Sequence, residues 1–225
     1  MNKSDKKEYV FKRLNEVLLP KGYELFKSGS DPSYVLKSEN IAVNFFFNFK
    51  DLGQIDFSSL YISIKVVENI MFEVKIPNNN YDFVDNKKYF LNTIYDKDMF
   101  IPENYYRGIG YDIETQKDLE FFTDWIINYI ETTGKDFIET YSYLPNILKK
   151  MDELQAEGKY WNEILAGGPE FLLRGLIISK LCNDKNYGNK LEYVKELYIS
   201  MADEYLSYYE KLKERLKTVV PIYNL

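Results

Sequence analysis

No histidine occurs among the 225 residues, and there is a single cysteine, Cys182. Without imidazole the chain cannot run Ser-His-Asp or Cys-His nucleophile activation, and it cannot build the usual histidine-containing zinc sites. One thiol completes neither a Cys₄ zinc site nor an iron–sulfur site. Nor can it close an internal disulfide, which suits a reducing compartment. Cys182 falls late in an apolar helical stretch and reads as a small core residue. Long apolar runs are also missing, since no stretch reaches the roughly 18 residues that mark a membrane-spanning helix. The opening "MNKSDKKEYVFKRLNEVLLP" has no apolar signal core, so the expected location is cytoplasmic.

Phosphate cradles are scarce as well. "RGIGYD" holds only G-x-G, with no third glycine and no helix start after it. In "LAGGPEFL", Gly167 and Gly168 precede a helix N-terminus whose amides can face an anion. That segment lacks the Walker lysine and threonine, and a tight loop entering a buried helix accounts for both glycines. Every run of Lys and Arg is interleaved with Asp and Glu, the net charge is −6 and the pI about 5.0. Nucleic acid and anionic membrane are therefore not expected partners, whereas a basic protein is compatible. No catalytic residue, cofactor or metal ligand set is expected. Carboxylates remain: Asp96 and Asp98 form D-x-D, which on a strand end would project together toward a divalent ion. A solvated loop is the favoured reading of that pair.

What is abundant is aromatic: Tyr (21) and Phe (15) dominate a 17% aromatic content. The same A/T-rich codon bias that yields Asn, Lys and Ile explains much of it. Hydrophobic residues at 45% supply a sizeable core.

Ser4 is a candidate cap for a first helix carrying Val10, Phe11, Leu14, Val17 and Leu18, stopped by Pro20 and Gly22. Short strands follow at 22–27 and 33–37, around the turn "SGSDP". "IAVNFFFNFKD" (41–51) alternates: Ile41, Val43, Phe45, Phe47 and Phe49 share one face, so it reads as a strand packed on a core, leaving Phe46 on the mixed face. Further strands are expected at 58–67, 87–96 and 105–113, with a polar loop at 77–86. Residues 68–76 fit a short helix slightly better than an edge strand. Thr115 opens a capping-box helix with Leu119, Phe122, Trp125, Ile126, Tyr129 and Ile130, ended by Gly134. Shorter helices follow, one with Pro145 in its first turn. Another, after Pro169, is apolar nearly all round and interrupted mainly by Arg174. A last helix, from about 189 to 218, carries a heptad-like seam of Val194, Tyr198, Met201, Tyr205, Tyr208 and Leu212.

Strands followed by helices imply an α+β fold: an antiparallel sheet of about five or six strands packed with helices, then an all-helical C-terminal part. The expected division is 1–114 for the first helix plus sheet and 115–225 for the helical part, packed as one compact unit. "GYELFK", "IAVNFFFNF", "YISIKV" and "DLEFFTDWIINYIETTGKDFIETYSYLPNIL" together resemble the DUF4304-like family of uncharacterised bacterial proteins, over residues 5 to 150. The resemblance implies a bacterial source and transfers no functional residue. Small acidic bacterial proteins of this general type accompany toxins as immunity proteins, an analogy only.

The most unusual polar stretch is "PENYYRGIGYD". Tyr105, Tyr106, Arg107 and Tyr111 have the composition of an interaction surface. The expected function is non-enzymatic protein binding, of a toxin-immunity kind. A carboxylate-based hydrolase or a carbohydrate-binding protein is the alternative. Self-association through the C-terminal helix is a further expectation.

Overall fold

The computed structural model describes residues 2–27, 32–75 and 91–224. The expected loop at 77–86, the start of the strand at 87–96 and most of the "SGSDP" turn lie outside the described residues. The strands are β1 (Glu24–Phe26), β2 (Ser33–Lys37), β3 (Ile41–Phe49), β4 (Gln54–Phe57), β5 (Tyr61–Ile64), β6 (Ile94–Tyr95), β7 (Tyr105–Tyr106) and β8 (Gly110–Asp112). The helices are α1 (Lys3–Leu18), α2 (Lys65–Val74), α3 (Gln116–Glu131), α4 (Thr133–Tyr141), α5 (Leu144–Ala156), α6 (Phe171–Leu181), α7 (Tyr187–Met201) and α8 (Leu206–Leu216). The fold is α+β, with helices filling the C-terminal half. Among the described residues no helix is long and apolar enough to cross a membrane. The chain forms two compact units, residues 1–61 with 96–138 and residues 62–95 with 139–225.

In the first unit, the sheet runs β1-β2-β3-β4-β8-β7, antiparallel throughout. Phe45, Phe47 and Phe49 of β3 are buried, as the alternation requires. Phe11 of α1 meets Phe47 and Phe49 edge-on at 6.1 and 5.5 Å, and Phe122 of α3 meets Phe47 at 6.4 Å. On the other face Phe46 is half-buried, stacked on Tyr61 at 6.1 Å with 10° between the rings. The phenylalanine run is therefore structural. The cap of α1 is Asn2, not Ser4: Asn2 accepts from the Asp5 amide at 2.9 Å and its own amide donates to Asp5 at 3.2 Å. Thr115 and Asp118 form the same reciprocal box on α3. Gly134 does not end α3, which stops at Glu131. It sits inside α4, where a Cβ would come within 2.7 Å of Leu60 and 2.8 Å of the Tyr129 carbonyl. Packing, not termination, selects that glycine.

In the second unit β5 ends at Ile64, short of the expected 67, because a helical stripe takes over. Val67, Ile70, Met71 and Val74 are buried at helical spacing on α2. The same face buries Glu68, which meets Arg174 of α6 through two parallel bonds of 2.9 and 3.0 Å. Thr93 donates to Glu68 at 2.7 Å and accepts from the Ile64 amide at 2.8 Å, while Arg174 also donates to the Ala166 carbonyl at 3.0 Å. One ion pair thus ties β5, α2, the 93–95 segment and α6. Gly167 makes room for it: at φ +100°, an added Cβ would stand 2.8 Å from the Arg174 guanidinium. Gly167 is accounted for by this contact, while a Cβ at Gly168 would meet only the Glu170 carboxylate, at 3.1 Å.

Cys182 is buried, and burial pushes its thiol up to about 12. Beside it Lys190, also buried, donates to Asp184 at 2.6 Å and to Asp152, locking the turn between α6 and α7. The long last helix is broken at Ala202, whose φ of −158° and ψ of 60° lie outside the helical region. The kink rotates the seam: Val194, Tyr198, Tyr205, Tyr209 and Leu212 are buried, while Met201 is exposed and Tyr209 takes the inward place expected of Tyr208.

Truncating one partner of a buried ion pair strands the other charge. Arg174→Ala is expected to destabilise the fold by about 3–5 kcal/mol in urea unfolding, whereas Glu68→Met with Arg174→Met returns most of that loss. A double variant no better than Arg174→Ala contradicts this account.

Candidate interaction surface

The stretch expected to be one strand at 105–113 is a hairpin, β7 and β8 around Arg107–Ile109, closed by the Ile109 amide donating to the Tyr106 carbonyl at 2.9 Å. Two strand fragments with a turn replace the single strand because Gly108 and Gly110 both take positive φ. At Gly110 no other residue fits: a Cβ would lie 2.6 Å from the Ile55 carbonyl oxygen on β4.

The four residues expected to form a surface separate here. Tyr105 is buried and does not face solvent. Its ring lies 5.3 Å from Trp125, and its hydroxyl accepts from the Phe57 amide at 2.9 Å and stands 2.6 Å from Asp56. Burial, with the Asp56 charge, raises its pKa. Tyr111 is half-buried between Phe121 at 5.7 Å and Phe122 at 6.2 Å. Arg107 turns its guanidinium onto the carbonyls of Lys97 and Met99, at 2.6 and 3.3 Å. Only Tyr106, 60% exposed, stands out as an aromatic for a partner.

In the same unit three further large apolar residues that sequence reasoning missed are exposed. Leu52 is 91%, Phe100 72% and Ile109 57% exposed. They sit on three turns that side chains cross-tie. Arg107 fixes the 97–100 segment to the hairpin. The Lys50 ammonium bonds the Gly108 carbonyl, joining the hairpin to the β3–β4 turn that carries Leu52. The buried Lys6 donates to the Gly53 and Ile113 carbonyls at 2.7 and 2.6 Å, fixing that turn from α1. The available signal was a large apolar residue inside each of two polar turns, "KDLGQ" and "KDMFIPEN".

Below this tip lies Asp96, buried, accepting from the Tyr129 hydroxyl at 2.6 Å, while Asp98 is exposed. The D-x-D pair therefore does not project together, and among the described residues no group of three potential metal ligands occurs. Burial is the main cause that raises the Asp96 pKa, with Asp98 adding to it and Tyr129 and Arg107 opposing. No family model matches the chain, and no curated protein or solved structure matches it.

A carboxyl whose pKa is raised on folding favours the native state below its unfolded pKa, and that advantage is lost as pH rises through the native value. Asp96→Asn keeps the acceptor for Tyr129 and removes the charge. Its stability relative to wild type is therefore expected to improve between pH 4 and pH 7, measured by thermal unfolding at each pH. A pH-independent difference contradicts the assignment.

Proposed function

We propose that the protein is a non-enzymatic binding module for another protein, and that it engages its partner through the tip formed by Leu52, Phe100, Tyr106 and Ile109. The observation that carries this reading is four large apolar side chains, each more than half exposed, on turns held by bonds to main-chain carbonyls. Leaving such a side chain in water instead of burying it forgoes about 1.5–3 kcal/mol. Large exposed apolar groups mark interaction sites, and a preorganised surface loses less entropy when it docks. An immunity-type role, in which the tip covers the working surface of a toxin, is the setting this reading fits.

The test compares wild type, Tyr106→Ser/Ile109→Ser, and Ile199→Ser/Met201→Ser as a control of matched exposure, each immobilised in lysate of the source cell. One protein retained by wild type and the control, and reduced at least about tenfold on the tip variant, is expected; each hot-spot truncation loses roughly 2 kcal/mol of binding. Equal recovery on all three, with all three folded, overturns the proposal.

A further inference from the structure

Beside its core face, α1 carries a second stripe. Ser4, Lys7, Glu8, Phe11, Lys12 and Asn15 recur at helical spacing and run along it for about three turns. With Lys27 just after β1 and Pro32 just before β2, they line a cleft of about 500 Å³, a volume that holds a small organic molecule. Phe11 and Pro32 are buried and give the cleft its apolar surface. The rest of the lining is rich in donors. Lys7, Lys12 and Lys27 pair with no carboxylate among the described residues, and Glu8 is the one carboxylate beside them in the lining. The Lys7 ammonium stands over the Phe49 ring at 5.4 Å, a contact that leaves its charge in place. Asn15 accepts from the Tyr34 hydroxyl at 2.8 Å through Oδ1, so its amide nitrogen is left to donate elsewhere.

From this we infer that the cleft binds a small organic anion, an apolar or aromatic body that carries a carboxylate or a phosphate. The body lies against Phe11 and Pro32, and the head group accepts from the lysines and from Asn15. Hydrogen bonds between ammonium and an anionic oxygen are about twice as strong as neutral ones, so the charge of the ligand carries its recognition. A cationic ligand would meet three ammonium groups against one carboxylate, and a neutral one would forgo the charge-assisted bonds.

The probe is anilinonaphthalene sulfonate, an aromatic anion whose fluorescence rises on binding, titrated into the whole protein at about 50 mM salt, where screening is weak. One saturable site is expected, with affinity at least about tenfold lower in Lys7→Gln/Lys12→Gln/Lys27→Gln at an unchanged melting temperature. Phenylnaphthylamine, the same body without the sulfonate, is expected to bind at least about tenfold more weakly than the dye. Displacement of the dye by phenyl phosphate or by phenylacetate would name the head group as phosphate or carboxylate. The absence of a saturable site, equal affinity in the lysine variant, or equal affinity for the neutral body would each overturn the inference. Displacement by neither acid would overturn it too. Binding that survives the lysine variant and is lost in Tyr106→Ser/Ile109→Ser would place the dye at the tip and overturn it as well. None of these outcomes bears on the protein-binding reading of the tip, which shares no residue with the cleft.

Discussion

The tip of the first unit depends on cations whose hydrogen bonds end on main-chain carbonyl oxygens. Lys6 reaches Gly53 and Ile113, Lys50 reaches Gly108, and Arg107 reaches Lys97 and Met99. Short turns expose carbonyls to which no strand partner donates, and a charged donor satisfies them with about 1.5–3 kcal/mol per bond. The same bonds join three turns from distant parts of the chain. Deleting any one would release a turn that carries an exposed apolar residue. Rigidity and display thus share one cause.

A consequence follows for the electrostatics. A lysine or arginine bonded to a main-chain carbonyl keeps its positive charge at the tip, while Asp96 and Asp56 turn inward to accept from the hydroxyls of Tyr129 and Tyr105. Within the second unit the logic is reversed: Glu68 and Arg174 are both buried, and their charges answer each other with help from Thr93 and the Ala166 carbonyl. One unit uses charge to hold a surface, the other to hold a core.

Period was legible in the residues, and capping only in part, since Asn2 and not Ser4 caps α1. The two-residue alternation of 41–49 placed Phe45, Phe47 and Phe49 inward, and the T-x-x-D box began α3 where expected. The α+β class followed from the order of the elements. Interruptions set by tertiary contact were not legible. Gly134 reads as a stop but is demanded by Leu60 and Tyr129, and the break at Ala202 carries no proline or glycine to announce it. The contact-based units divide the chain at 61, 95 and 138, whereas composition and pattern suggested one boundary near 114. Of the four residues expected at an interaction surface, Tyr106 is the one that stands well exposed as an aromatic. Tyr105 was hidden by its hydrogen bonds to Asp56 and Phe57, which no local pattern encodes. Leu52 and Phe100 were overlooked because a lone apolar residue in a turn has no periodicity.

The central claim is that this apolar tip is held rigid before any partner arrives. Backbone ¹⁵N relaxation at Leu52, Phe100, Tyr106 and Ile109 tests it most directly. The account predicts order parameters near 0.85, as in the flanking strands, falling in Lys50→Met and Arg107→Met at the turns those cations tie. Values below about 0.6 in the wild-type protein, unchanged in either variant, would contradict it.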